Sequence, residues 1–302
     1  MRHLYRIGLF SLLALVLTSC AGNTNPAANS PQGTTSSENS PASITNVGSD
    51  TMVNLALAWA EAYHALHPKV NVSVTGGGSG TGIAALVNGT VDIANASRVI
   101  KTEELKNAEK QNLHPMEFVV ARDAIAVVVH PSNPINQLTL EQISAIYSGQ
   151  IDNWSELGGE DRPIVRLSRE TNSGTHVYFL ETVIRLGKKD DKTLFSTDTL
   201  LMQSSEGIIV EVSQNPNAIG YDGLGYVTKD MKVLAIAKTV DGPFVLPSAA
   251  TVNDGSYPIA RDLYMYTPGE PTGAVKEYLD WVRLSSEAQA IVTQLGFVPV
   301  TP

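Results

Sequence analysis

Two stretches of this sequence combine the residue types that hold an oxyanion. The first is Thr75-Gly76-Gly77-Gly78-Ser79-Gly80-Thr81-Gly82. It follows the alternating run Val70-Asn71-Val72-Ser73-Val74, a strand pattern, and precedes Ile83-Ala84-Ala85-Leu86-Val87, a helix start. Glycines at such a junction let backbone N–H groups converge, and the helix N-terminus adds unpaired donors and partial positive charge. The second stretch is Arg169-Glu170-Thr171-Asn172-Ser173-Gly174-Thr175, between a strand over residues 164–168 and a helix running to about residue 186. A guanidinium presents a planar fork of donors that matches oxyanion geometry, and Ser-Gly-Thr at a helix start adds neutral donors. Either stretch alone reads equally as a helix-capping turn. Their pairing is what suggests a site. Nucleotide loops are excluded. Ile83 and Ala84 stand where a Walker loop needs Lys and Ser/Thr, and the dinucleotide spacing is absent.

The elements that must position these turns are legible in part. Residues 44–47, 70–74 and 91–96 read as strands, each ending in a small polar turn and followed by a helix. The helix after the first turn, residues 52–66, carries Leu55, Trp59, Ala62, Tyr63 and Leu66 on one face, with Asp50 or Thr51 as its cap and Pro68 ending it. Thr102 is expected to cap a charged helix to about residue 111, and Thr139 a helix over 140–147. In an α/β sheet, ligands bind beyond the carboxyl ends of the strands, so the turns Gly48–Thr51, Gly76–Gly82 and Ser97-Arg98 fall on one edge. Residues 118–130 are apolar except Arg122 and Asp123, and residues 258–267 form a second such run. Both read as segments crossing between two lobes. Residues 153–159 read as a loop, 218–221 and 233–236 as strands, and 273–283 and 287–295 as helices.

The chain has 302 residues, 43% of them hydrophobic, and a net charge of −9. That length can build one large domain or two lobes, and the charge argues against nucleic acid. An anion must therefore be held by local geometry. The single cysteine, Cys20, follows a short basic start and an apolar run over residues 7–17, in Leu17-Thr18-Ser19-Cys20-Ala21-Gly22. This is similar to a bacterial lipoprotein signal, with cleavage before Cys20 and lipidation of its thiol. The competing expectation is an ordinary secretory signal. Residues 21–42 are polar and poor in apolar side chains, as in a flexible tether.

The order of Gly48-Ser49-Asp50-Thr51, the glycine loop, Ala94-Asn95-Ala96-Ser97-Arg98 and Ser168 to Thr175 resembles the phosphate-binding proteins of phosphate ABC transporters. Asn133-Pro134, Gly149-Gln150-Ile151-Asp152-Asn153-Trp154 and Ala218-Ile219-Gly220-Tyr221 look like that family too. The resemblance implies an α/β, two-lobed periplasmic-binding-protein-like (type II) fold, each lobe a mixed sheet flanked by helices and joined by hinge strands. Expected bounds are 1–19 for the signal, 20–42 for the tether, 43–124 with 255–302 for lobe 1, and 125–254 for lobe 2. It implies inorganic phosphate as ligand, permease subunits of an ABC transporter as partners, a lipid-anchored extracytoplasmic monomer, and no cofactor or metal. Carried over by position, the ligand set is Asp50, Thr51, Ser79, Thr81, Ser97, Arg98, Arg169, Ser173, Gly174 and Thr175. The chain departs from longer family members at Arg98 and Thr171, each an Asp there, which leaves open which group accepts the proton of hydrogen phosphate. Asp50 is the carboxylate inside a matching turn. Alternatives are another oxyanion, such as sulfate, molybdate or tungstate, an adhesin, or a secreted serine hydrolase or phosphatase using Ser173 and His176. The last lacks a G-x-S-x-G elbow. His64 and His67 have helix spacing but no third ligand for zinc.

Overall fold

The computed structural model of the chain describes residues 41–300. The expected signal, tether and Cys20 lie outside these residues, apart from the tether's last two positions. β1 (Ala42–Gly48) starts two residues before the expected strand and pairs in parallel with both β2 (Val70–Thr75) and β3 (Ile93–Ala96). Each is followed by a helix: α1 (Val53–Leu66) after a tight turn at Asp50–Met52, α2 (Ser79–Val87), and α3 (Thr102–Glu109). Parallel pairing places the three strand-end turns on one edge of the sheet, as the pattern requires. Thr102 is the first residue of α3 rather than its cap, and Glu104 reaches back to accept the Lys101 N–H at 2.7 Å.

β4 (Met116–Val129) is the long apolar run, and its two halves have different partners. Residues 116–124 pair antiparallel with β11 (Ala260–Thr267), and residues 125–129 pair antiparallel with β8 (Ala218–Gly223). One sheet of nine strands therefore passes through both halves of the molecule, in the order β2-β1-β3-β11-β4-β8, then β6 (Val165–Arg169) and β7 (Leu200–Met202), with β9 (Lys232–Val233) also on β4. β5 (Gln137–Thr139) and β10 (Ala235–Ala237) make a separate parallel pair. The expected strand over 233–236 thus divides between two sheets. α4 (Leu140–Tyr147) is capped by Thr139 as expected, whose Oγ1 accepts the Gln142 N–H. α5 (Gly174–Phe179) passes into a single π turn, Leu180–Ile184, in place of a uniform helix. The expected loop over 153–159 contains the tight turn Trp154–Leu157.

Along the second half of β4 the alternation of side chains explains why residues 124–129 are apolar throughout. Ile125, Val127 and Val129 enter one core, with residues of α4 and α5, and Ala126 and Val128 enter another under α6 (Ser205–Gln214). A strand covered on both faces needs no polar side. The first half of the molecule has its own pair of cores. One packs Trp59 and Tyr63 of α1 against Tyr278 of α8 (Gly273–Leu284) and Val292 of α9 (Ser286–Gln294), and the other packs α2 against β3 and Tyr266. Separate cores on a shared sheet make the two-lobed, mixed α/β architecture. Tyr257 and Ile259, which follow α7 (Ala249–Asn253), are buried in the core of the second lobe. Ala260, the first residue of β11, packs against the same core. β11 itself lies in the first lobe, so only its start is a crossing. No helix among the described residues is long and apolar enough to cross a membrane.

Candidate functional site

The turns after β1, β2 and β3 face the turn after β6, and the lobes are shut on one another there. Thr51 and Thr175, one from each lobe, have hydroxyls 2.8 Å apart. Ser79 Oγ accepts the Ser97 N–H at 3.0 Å and lies 3.3 Å from Ser97 Oγ. Gly174 packs directly on this serine pair. A Cβ built there would stand 2.4 Å from Ser79 Oγ and 2.6 Å from Ser97 Oγ, so any side chain would hold the lobes apart. Ser173 Oγ accepts the Thr175 N–H at 3.2 Å, as an N-cap does. Thr51, Ser79, Ser97, Ser173, Gly174 and Thr175 are thus brought together, all of them buried.

Arg169, at the end of β6, is buried and engages a separate set of partners. Its Nη2 donates to Asp50 Oδ2 at 2.8 Å and to Gln203 O, its Nη1 to Ser205 Oγ at 2.8 Å, and its Nε to Met202 O. Asp222 lies 3.5 Å from Nη1. Burial raises the Asp222 carboxyl above its usual range, against the pull of Arg169. Asp50 caps nothing. Its Oδ1 accepts the Gly77 N–H at 2.8 Å while Oδ2 holds Arg169, so this carboxylate joins the glycine loop of one lobe to the strand end of the other. Asn172 donates to Gly77 O at 2.8 Å, a further bond between lobes, and Tyr226, whose ring packs in the core with Met52 and Trp59, donates to the Asp50 carbonyl at 2.7 Å.

The glycine loop behaves differently from its first reading. The N–H groups of Gly77, Gly78, Gly80 and Gly82 are directed to Asp50 Oδ1, Gly48 O, Asn172 O and Gly78 O. Gly78 adopts φ +93° with Asn172 O only 2.9 Å from where a Cβ would stand, a conformation and an approach that glycine permits. The loop serves as a clasp, and Ser79 is its contribution to the cluster. Thr81 is exposed and donates to Gly77 O at 2.6 Å, away from the hydroxyl cluster. Arg98 also turns aside. Its Nη atoms make a bidentate pair with Glu104 at 2.7 and 2.8 Å and bond Val99 O. Burial works to raise the Glu104 carboxyl, and the Arg98 pairing and the Lys101 N–H outweigh it, leaving it below the usual range. Of the expected set, Arg98 and Thr81 bond neither the hydroxyl cluster nor a partner in the other lobe through their own donors, and Asp50 and Arg169 bond each other across the lobes rather than the hydroxyls.

The cation that reading by motif missed is Arg261. Its Nη2 donates to Thr175 Oγ1 at 3.0 Å, with Thr51 Oγ1 at 3.4 Å, and to Asp123 Oδ2 at 2.9 Å. Its Nη1 donates to Ser97 O at 2.9 Å. Desolvation pushes the wholly buried Asp123 carboxyl up to about 6, against the attraction of Arg261. The signal was present in the sequence. Asp123 interrupts an apolar run, and a charge buried there demands a partner.

A serine hydrolase is not what this arrangement resembles. His176 stacks on Phe195 with ring centroids 4.5 Å apart, and its Nδ1 lies 3.0 Å from the buried Ser168 Oγ rather than bonding Ser173. Burial lowers its pKa. His64 bonds Val70 O and His67 stacks on Tyr63. No group of His, Cys, Asp and Glu among the described residues could hold a metal ion.

Hydroxyls, helix starts and two buried arginines between closing lobes define a two-lobed binding protein for a small oxyanion. A family model described as the PBP superfamily domain matches residues 30–286. The phosphate-binding protein PstS of Pseudomonas aeruginosa PAO1 is 34% identical over 273 residues, covering 85% of this chain and 83% of that protein. PstS of Bacillus subtilis is 30% identical, covering 97% and 92%. A Clostridium perfringens protein assigned as a phosphate ABC transporter substrate-binding protein, solved with bound phosphate, superposes with a TM-score of 0.77 at 32% identity. It is matched over 86% of this chain and 100% of its own. An ABC-type phosphate transport receptor from Vibrio cholerae gives 0.68 at 29%, with the same coverage. The chain belongs to the PBP superfamily, in the family of phosphate-binding proteins that these relatives represent.

Proposed function

We propose that this chain captures inorganic phosphate between its lobes and delivers it to the membrane subunits of an ABC transporter. The observation that carries this reading is the meeting of Thr51 and Ser79 from one lobe with Gly174 and Thr175 from the other, beside buried guanidinium groups. A ligand touched by both lobes shifts the equilibrium toward the closed state, because only there does it gain both sets of bonds. The proton on hydrogen phosphate is the basis of selectivity. Asp50 is the acceptor in this reading, since a carboxylate facing fully deprotonated sulfate would meet only lone pairs. Cys20 carries the lipid that holds the protein at the outer face of a membrane, and the protein works there as a monomer, without catalytic turnover.

Calorimetric titration with phosphate, sulfate, arsenate and molybdate tests the ligand. Phosphate and its isostere arsenate are expected to bind, sulfate and molybdate to bind far more weakly. Tighter binding of sulfate or molybdate would replace phosphate in this reading.

A further inference from the structure

We propose that Arg261 is a second cation of the oxyanion site, held by Asp123 at the junction of the lobes, so that a bound phosphate is gripped from the crossing strand as well as from the two turns. This rests on the phosphate reading above and names a group that the motif carry-over does not contain.

Arg261 and Asp123 are directly opposed in the antiparallel register of β11 and β4, which puts both side chains on one face of the sheet. The junction is where β4 changes partner from β11 to β8. Both side chains are buried, with 2% and 0% of their surfaces exposed. An ion pair taken wholly out of water contributes little net stability, and an apolar pair would serve a fold as well or better. The contacts of the guanidinium suggest a different reason for its presence. It reaches Thr51 of one lobe and Thr175 of the other, the two hydroxyls that meet when the lobes shut. One of the two threonine hydroxyls donates to the other, and by donating to Thr175 Oγ1 the guanidinium leaves the second O–H free to point elsewhere, polarised as a donor by the adjacent charge. Its Nη1 carries two hydrogens and makes one bond among the described residues, to Ser97 O.

The surroundings of the two guanidinium groups point the same way. Arg169 faces two carboxylates, Asp50 and Asp222, and its hydrogens all have acceptors near them. With Arg169 alone, a doubly charged anion would enter a cluster with no positive charge to spare. Arg261, matched by one carboxylate, leaves that total unchanged; what it adds is N–H donors placed at the threonine hydroxyls where the lobes meet.

The test compares wild type, Arg261→Lys and the double variant Arg261→Gln/Asp123→Asn. The double variant replaces the ion pair by a neutral, hydrogen-bonding pair of similar size, so no unpaired charge is left buried. Each protein is melted without phosphate and titrated with phosphate. The double variant is expected to melt within a few degrees of wild type and to bind phosphate at least about tenfold more weakly, a loss of one charged contact. Arg261→Lys keeps the charge without the fork, and a loss of roughly threefold or more is expected because one ammonium cannot serve Asp123, Ser97 O and the hydroxyls together. Phosphate binding within about twofold of wild type in either folded variant would overturn the proposal and make the pair purely structural. A wild type that binds no oxyanion would overturn both this and the phosphate reading. Phosphate bound equally by wild type and the double variant would overturn this alone.

Discussion

Arg169 and Arg261 are both buried, and both join a carboxylate to the place where the lobes meet, yet they are built in opposite ways. Arg169 ends a strand and is followed within six residues by the Ser-Gly-Thr helix start it serves. Two carboxylates, two backbone carbonyls and a hydroxyl surround it. Arg261 stands on a strand whose local sequence carries no turn, cap or glycine signal, and its contacts come from residues 86 to 210 positions away. The difference separates two jobs. A guanidinium surrounded by carboxylates and carbonyls is a strut that sets the geometry of the turn. One that spends its second fork on threonine hydroxyls can respond to what those hydroxyls hold.

Removing the strut should have the largest effect. Arg169→Ala leaves Asp50 and the buried Asp222 without their shared partner, and breaking one side of a buried charge cluster costs about 3–5 kcal/mol. Both denaturant stability and phosphate affinity should fall. A variant that melts like wild type and binds within a few-fold of it would refute the strut.

Asp123 sharpens the other half of the comparison through pH. Its carboxyl is raised from 3.8 to about 6 in the folded protein. Between those values the folded state holds more protons than the unfolded one, so its contribution to stability is full below the lower value and is lost as pH rises through the upper. Relative to Asp123→Asn, wild type should lose stability from about pH 4 to pH 6, by at most about 3 kcal/mol. Chemical denaturation of both proteins across that range checks it. A constant difference would mean that Asp123 does not titrate there.

How much of this was legible depends on sequence distance. Strand–turn–helix repeats are local patterns, so β1 to β3, their helices and the serine and threonine turns could be read from adjacent residues. Gly174 was placed correctly in a turn, but its contact with Ser79 and Ser97 depends on how the lobes close. The glycine loop looked like an anion cradle because its amides have no local partners. Their acceptors, Asp50, Gly48 and Asn172, lie up to 92 positions away, the separation of Gly80 from Asn172. α6 went unread because it begins at Ser204-Ser205 after a stretch without strong periodicity, and it is fixed by packing on β8.

Asp50 joins Arg169 to the glycine loop and should give an intermediate effect. Asp50→Asn keeps the shape but loses the charge that Arg169 meets, and its amide can face only one of its two present donors as an acceptor. The carboxylate is partly exposed, so the loss in phosphate affinity should be about 1 kcal/mol. The ratio of phosphate to sulfate binding should also narrow, because the amide can donate to a lone pair. Competition titration decides it, and an unchanged ratio would assign proton recognition to another group.

The smallest effect should come from Arg98, and it sharpens the comparison by supplying a buried arginine of the strand-end edge that does neither job. Its fork is closed on Glu104, its backbone neighbour is Ser97, and yet no bond from its side chain reaches the hydroxyl cluster among the described residues. Arg98→Ala removes a bidentate pair that is partly exposed on the Glu104 side, so stability should fall by about 1 kcal/mol. Phosphate affinity should stay within about twofold, since nothing that faces the ligand is touched. The thermal melt and the titration together separate the two effects. A fall in affinity exceeding that of Arg169→Ala would mean that the Arg98–Glu104 pair opens when phosphate arrives, and would move the principal cation of the site from the second lobe to the first.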